Sequence, residues 1–95
     1  MERATVFVRG HVQAVGFRWW ARARALELEL ELVGHARNMP DGRVEVVAQG
    51  ERGSVERLVG LLQEQPSSSG RPGEVTAVMT LWNAPRPGVT GFVVK

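Results

Sequence analysis

The amino-acid sequence predicts an α+β fold in which one antiparallel sheet carries two helices on one face. Segments with strand-like alternation and segments with helical spacing follow one another in the order strand, helix, strand, strand, helix, strand, and a short extra strand comes last. This order is typical of a ferredoxin-like sandwich. With 95 residues the chain has room for one core, so residues 1–95 are expected to form a single domain.

Composition excludes several function classes. Hydrophobic residues make up 43% and charged residues 23% of the chain, which is typical of a globular domain. The chain has no cysteine and two histidines, so disulfides, thiolate nucleophiles and sulfur-ligated metals are excluded and a multi-histidine metal site is not expected. We therefore predict neither a metal nor any other cofactor.

The charge pattern favours a small anionic substrate. The net charge is +2, eleven of the twelve cations are arginines, and no basic block is present, so nucleic acid is not the expected partner. No segment approaches the roughly 20 apolar residues that span a bilayer, and no signal-peptide pattern begins the sequence. A cytoplasmic protein without a membrane partner is expected.

The first strand is predicted over Ala4 to Val12, where β-branched residues alternate with polar ones. A helix follows from Phe17 to about Glu29. Residues 25–32 also alternate with period two, as a strand would, but Ala, Leu and Glu are strong helix formers, and helix is therefore predicted. The apolar residues at helical spacing are Phe17, Trp20, Ala21, Ala25, Leu28 and Leu32.

The middle of the chain predicts a hairpin. Gly34 to Asn38 is the second strand, the run Met39-Pro40-Asp41-Gly42 is a turn, and Arg43 to Ala48 is the third strand.

A second helix, a loop and two strands complete the pattern. Ser54 is predicted to cap the helix, and Pro66 is predicted to end it. Residues 65–73 form a loop by composition and are expected to be the most mobile part. The last strands are predicted over Glu74 to Trp82 and Val89 to Val94. The apolar stripe of the second helix consists of Val55, Leu58, Val59 and Leu62.

The stretch from Gly10 to Arg18 is a candidate anion site. It connects a strand to a helix through a short loop, and such a connection leaves backbone N–H groups without intrahelical partners at the positive end of the helix dipole. Arg18 adds a planar guanidinium that can bind phosphate oxygens in a bidentate way. In the predicted fold the first two strands run parallel with another strand between them, so Arg18 and Asn38 should meet at one edge of the sheet.

Two motifs resemble those of the acylphosphatase family, small enzymes that hydrolyse the carboxyl-phosphate bond of acyl phosphates. Gly10 to Arg18 matches G-x-V-Q-x-V-G-F-R, and Gly34 to Glu45 matches G-x-x-x-N-x-x-D-G-x-V-E. Matching residues also occur at Gly50 and at Gly91-Phe92, so the resemblance covers most of the chain.

The resemblance implies a metal-independent acyl phosphate hydrolase in which Arg18 holds the phosphate and Asn38 holds the attacking water. We also expect a monomer that takes a small acyl phosphate as substrate, and we expect the loop to bind inorganic phosphate or sulfate as ligand. The groups expected to bind substrate are the backbone N–H groups of Gln13, Ala14, Val15, Gly16, Phe17 and Arg18, together with the Arg18 side chain.

The sequence departs from the family pattern at two positions. Ala14 and Glu31 stand where glycine is expected. If position 14 requires a positive φ, alanine costs on the order of 1 kcal/mol there. Glu31 replaces a glycine expected after the first helix, where a left-handed cap would be natural.

Other interpretations remain open at this point. Asn38 could merely start the following turn through a side-chain hydrogen bond. The fold could belong to an RNA-binding module, although that function needs aromatic residues on the central strands, where only Phe7 is found. It could also belong to a regulatory domain without catalysis. The simplest interpretation of the remaining polar and aromatic residues assigns Trp19 and Trp20 to rim and core, His11 and His35 to noncatalytic positions, Asp41 to the turn, and Arg22, Arg24 and Arg37 to a solvated face.

Overall fold

The structure, a computed structural model, describes residues 1–27, 32–65, 67 and 70–95. Its elements follow the predicted order. They are β1 (Glu2–His11), α1 (Phe17–Glu27), β2 (Val33–Asn38), β3 (Val44–Gly50), α2 (Arg52–Gln63), β4 (Glu74–Asn83) and β5 (Phe92–Val94).

The five strands form one sheet in the order β4-β1-β3-β2-β5. β1 pairs antiparallel with β3 and β4, and β2 pairs antiparallel with β3. The short last strand differs from the prediction of a wholly antiparallel sheet, because β5 pairs parallel with β2. β1 and β2 are therefore parallel with β3 between them, and their carboxyl ends lie at the same edge, as the sequence predicts.

Both helices pack on one face of the sheet. β1 contributes Ala4, Val6 and Val8 to this face, while Arg3, Thr5 and Phe7 point to the opposite, uncovered face. α1 packs mainly against β2 and β5, and α2 against β1 and β4. The largest fully buried side chains are Phe17, Leu32, Leu58, Leu62, Val6, Val8, Val12, Val44, Val46 and Val55.

The second helix begins earlier than predicted. Glu51 is its N-cap and makes no side-chain capping bond, so the prediction that Ser54 caps this helix is wrong. Ser54 lies inside the first turn. A Ser side chain signals a cap only where the backbone leaves helical geometry, and here that occurs three residues earlier.

Some sequence predictions fall on residues outside the described ranges. Glu31, Pro66 and the end of the first helix beyond Glu27 belong to this group, as does part of the 65–73 loop. The period-two segment is described as helix as far as Glu27.

Candidate active site

The loop between β1 and α1 ends in a row of free backbone donors. The first helical bond of α1 runs from the Trp20 N–H to the carbonyl of Gly16, at 3.0 Å. The N–H groups of residues 17–19 precede it and have no intrahelical partner. Within the described chain, no backbone hydrogen bond uses an N–H of residues 13–19. These donors are therefore available to an anion.

Two left-handed residues shape this loop. Gly16 has φ 84°, and Ala14 has φ 60°, the sole positive φ at a non-glycine residue in the described ranges. Both residues are exposed, whereas the adjoining Phe17 is buried in the core. Position 14 thus requires the conformation that glycine adopts most easily. Ala14 therefore has the positive φ at which the sequence analysis expected an energetic cost for alanine.

β1 reaches this loop through a bulge. The register between β1 and β4 shifts between Arg9 and Gly10. Gly10 has φ 134°, and a Cβ there would collide with the carbonyl oxygen of Glu74. Only glycine permits this close approach of the two strands.

The Gln13 side chain connects the loop to the β2–β3 turn. Its Nε2 donates to the carbonyl oxygens of Met39, at 2.8 Å, and Arg43, at 3.0 Å. Because Met39 follows Asn38 directly, this clamp brings Asn38 to the donor loop. Sequence analysis assigned only the backbone N–H of Gln13 and missed this role of the side chain.

Arg18 lies in the first turn of α1 and is partly exposed. Its Nη1 donates to the main-chain oxygen of Lys95, just after β5. The Lys95 N–H in turn donates to the carbonyl of Ala36 in β2, at 2.9 Å. The guanidinium is therefore anchored through one amino group while its other donors are left for a ligand. The sequence predicts the short last strand that carries Lys95 to this place, and this was its only indication of the contact between Arg18 and Lys95.

Asn38 is exposed at the end of β2, and its amide makes no hydrogen bond with the described residues. The following turn is closed without it. The N–H of Arg43 donates to Asp41 Oδ1, at 3.2 Å, and the N–H of Gly42 donates to the carbonyl of Met39, at 3.1 Å. The turn residue is Asp41, as predicted, and the alternative role of Asn38 as turn initiator finds no support in these contacts.

Electrostatics around the turn favour ionised carboxylates. The backbone N–H of Arg43, together with the Arg43 guanidinium, lowers the pKa of Asp41. Burial acts to raise the pKa of Glu45, but hydrogen bonds from Arg37 and His35 outweigh it and lower that pKa below its ordinary value.

The side chains of the other polar and aromatic residues have positions and partners of their own. Trp20 is buried and Trp19 is 59% exposed, in agreement with core and rim positions. His11 is exposed, and His35 Nε2 lies 2.8 Å from Glu45 Oε1. The arginines do not form a purely solvated face, because Arg22 donates to the Phe92 carbonyl, Arg24 pairs with Glu27, and Arg37 pairs with Glu45.

No group of three or more His, Cys, Asp or Glu side chains suited to a metal ion occurs in the parts of the chain that the structure describes. In the same residues, neither helix has the length and hydropathy needed to cross a membrane.

Comparison with known proteins yields consistent matches. A family model described as Acylphosphatase matches residues 4–94. An acylphosphatase of Mycobacterium avium is 54% identical over 93 residues, covering 98% of this chain and 94% of that protein. An acylphosphatase of Thermobifida fusca is 56% identical over 90 residues, covering 95% of this chain and 92% of that protein.

Solved structures agree with this similarity. The acylphosphatase of Bacillus subtilis superposes with a TM-score of 0.85 at 27% identity, covering 100% of this chain and 99% of that one. The acylphosphatase of Coxiella burnetii gives a TM-score of 0.81 at 34% identity, with 99% and 93% covered.

Proposed function

Because the chain belongs to the acylphosphatase family, we propose that residues 13–18 and Asn38 form the site at which it hydrolyses acyl phosphates. The backbone N–H groups of residues 13–18 and the Arg18 guanidinium bind the phosphoryl oxygens, and Asn38 orients the attacking water. The acylphosphatase activity follows from the family, whereas the roles of these residues are our proposal.

The observation that carries the proposal is the row of unpaired amides beside Arg18. N–H groups at a helix N-terminus form a ready-made anion site, and the positive end of the helix dipole adds to it. The left-handed backbone at Ala14 supports this role, since it is a strained conformation retained in an exposed loop.

The second support is the clamp between the loop and the turn. Gln13 donates to the carbonyls of Met39 and Arg43 on either side of the turn that follows Asn38. The side-chain amide oxygen of Asn38 makes no hydrogen bond with the described residues, so it can accept a hydrogen bond from water. In this position Asn38 would hold the water opposite the leaving group, on the side of the phosphoryl group away from the acyl oxygen.

These groups suffice for the chemistry. The oxygen of water bonds to phosphorus, the bond from phosphorus to the acyl oxygen breaks, and the carboxylate leaves with the electron pair. The proton of the water ends on the phosphate. A carboxylate is a good leaving group and needs no strong general acid, and phosphoryl transfer through a loose transition state depends mainly on positioning and charge stabilisation.

Arg18 and Asn38 can be separated by kinetics. Arg18 contacts phosphate in both the bound substrate and the transition state, so Arg18→Ala should weaken inhibition by inorganic phosphate and lower kcat. Asn38 contacts only water, so Asn38→Ala should leave phosphate inhibition nearly unchanged and lower kcat by roughly 10²–10³-fold. Hydrolysis of benzoyl phosphate in the presence of a chelator measures both.

Arg22→Ala is the matched control for Arg18→Ala. Arg22 lies on the same helix and also donates to a main-chain carbonyl, that of Phe92. It should keep both kcat and phosphate inhibition, provided that each variant melts cooperatively. A folded Asn38→Ala protein with native kcat would remove Asn38 from the mechanism, and activity that requires an added divalent ion would exclude the metal-free reaction.

The rival function as an RNA-binding module has little support. The residues of β3 on the uncovered face are Glu45, Val47 and Gln49, and none can stack on a base. The monomeric state, the cytoplasmic localisation and the binding of sulfate remain predictions from the sequence.

A further inference from the structure

A groove lies on the uncovered face of the sheet, and its Arg3 end is remote from the loop between β1 and α1. Its volume is about 540 Å³, and the connection after β4 borders it. Arg3 lies eight positions before His11 on β1, and at about 3.3 Å per residue this is roughly 26 Å. We call it the open-face groove; its walls include Arg3, Thr5, Val47, Leu81, Asn83 and Arg86.

Arg3 is the unusual group in this groove. Its side chain lies on the uncovered face, yet the residue is only 8% exposed. Its one hydrogen bond to the described residues runs from Nη1 to Gln49 Oε1, at 3.2 Å, and no carboxylate in these residues forms an ion pair with it. A buried cation without an anion is costly, so such a group is normally paired.

A second cation is fixed beside it. Gln49 donates through Nε2 to the Arg86 carbonyl, at 2.9 Å, and accepts at Oε1 from the Arg86 N–H, at 2.8 Å. These two bonds hold the main chain of Arg86 over the sheet and leave its side chain free to line the groove. Burial and the charge of Arg86 both lower the pKa of Arg3, as expected for neighbouring cations with no anion between them.

The acidic residue nearest to these arginines is already engaged. Glu45 lines the same groove, but Arg37 Nε donates to its Oε1 at 2.8 Å, and His35 Nε2 lies at the same distance from that atom. Its effect on Arg3 is a Coulomb attraction without contact. The groove therefore keeps a net positive charge at its Arg3 and Arg86 end.

The rest of the wall is suited to a ligand with an apolar part. Val47 is buried in the floor, and Leu81, which is 47% exposed, lies on the other side of Thr5 in β4. Asn83 accepts from the Thr5 hydroxyl at 3.4 Å through Oδ1, which leaves its amide nitrogen for a ligand. Two cations, an amide donor and an apolar floor converge on one space.

We propose that the open-face groove is a second binding site, which takes a small organic oxyanion with its charged head between Arg3 and Arg86 and its apolar body against Val47 and Leu81. The head is a carboxylate or a phosphate, because the planar guanidinium pairs with either. The groove is separate from the loop between β1 and α1, so both sites can be occupied at the same time.

The test is an amide-shift titration of the ¹⁵N-labelled protein by NMR. Benzoate and phenyl phosphate share an aromatic ring and differ in the charged head, so the two arms distinguish carboxylate from phosphate binding. Saturable shifts are expected at Arg3, Val47, Gln49 and Arg86 in at least one arm.

Variants identify the responsible cation. Arg86→Gln should weaken binding at the groove at least five-fold, while Arg86→Lys should keep more of it. Arg57→Gln, on an exposed position of the helical layer, removes the same charge elsewhere and should leave the affinity unchanged. Since Gln49 bonds to the main-chain N–H and carbonyl of Arg86, the Arg86 variants keep both of these hydrogen bonds.

The proposal is overturned if neither ligand shifts the groove amides, or if Arg57→Gln weakens binding as much as Arg86→Gln. Because the amides of residues 13–18 report on the loop separately, failure at the groove leaves the proposed active site untouched. Likewise, a failure of the proposed roles of residues 13–18 leaves the groove proposal untouched.

Discussion

Ala14 is the residue at which local strain and the proposed function coincide. Its φ of 60° is costly for a residue with a Cβ, and its side chain is exposed, so packing gives little in return. Ala14→Gly should therefore stabilise the protein by about 0.5–1 kcal/mol, the relief of strain less the greater freedom of glycine in the unfolded chain. For a domain of this size the expected rise in Tm is roughly 2–8 °C, measured by thermal melting.

Ala77→Gly provides the control of opposite sign. Ala77 is also exposed but lies within β4, where φ is negative. Glycine in a strand interior weakens it, so this variant should melt lower than the native protein. If both substitutions lowered Tm, the left-handed alanine would not be a source of strain.

Individual contacts of the site divide into those that sequence can reveal and those that it cannot. The free amides after Gly16 follow from a local pattern, a strand that passes through a short loop into a helix. By contrast, the bonds from Gln13 to Met39 and from Arg18 to Lys95 join residues that are 26 and 77 positions apart. No local periodicity encodes such pairs, and they become visible only when the sheet brings the elements together.

At the scale of elements, the predicted order was correct because amphipathic patterns determine which segments can share one core. The start of α2 was wrong because its N-cap uses no side chain, and the sequence signal of a cap is a side chain. The parallel pairing of β5 was not predicted, since three residues carry no pattern that distinguishes parallel from antiparallel neighbours.

The pairing of β2 with β3 includes an ionic group that should make stability depend on pH. Arg37 and His35 of β2 both contact Glu45 of β3, and the pKa of Glu45 is lowered despite its burial. Below the ordinary glutamate pKa of about 4.3 the unfolded chain binds a proton that the folded chain does not. The contribution of Glu45 is therefore present at neutral pH and is lost as pH falls through its lowered folded pKa.

Glu45→Gln should remove this dependence. The difference in free energy of unfolding between the native protein and the variant should be largest above pH 5 and shrink towards pH 3, as measured by urea unfolding. Glu56→Gln is the control, because Glu56 forms an exposed pair with Arg52 at 3.5 Å on α2, and such pairs contribute little. A difference for Glu45→Gln that stayed constant with pH would contradict the ionic explanation.

At the scale of the whole molecule, the sheet carries two separate positive regions. The proposed phosphate site lies in the loop between β1 and α1, at the edge where β1 and β2 end, and the Arg3 end of the open-face groove lies near the beginning of β1. The helices cover one face and pack against all five strands, so both regions are built on the same core. Ligands that bind only the folded chain should therefore stabilise the entire domain.

Inorganic phosphate tests this coupling of binding to global stability. At ten times its Kd, a ligand bound only to the folded protein stabilises it by about 1.4 kcal/mol, which corresponds to a rise in Tm of roughly 6–11 °C. Arg18→Ala should abolish the rise that belongs to the loop, whereas Arg22→Ala should preserve it. Any increase that remains in Arg18→Ala because phosphate occupies the groove should disappear on adding Arg86→Gln. If Arg18→Ala kept the full rise, phosphate would bind outside the loop, and the proposed role of Arg18 would be wrong.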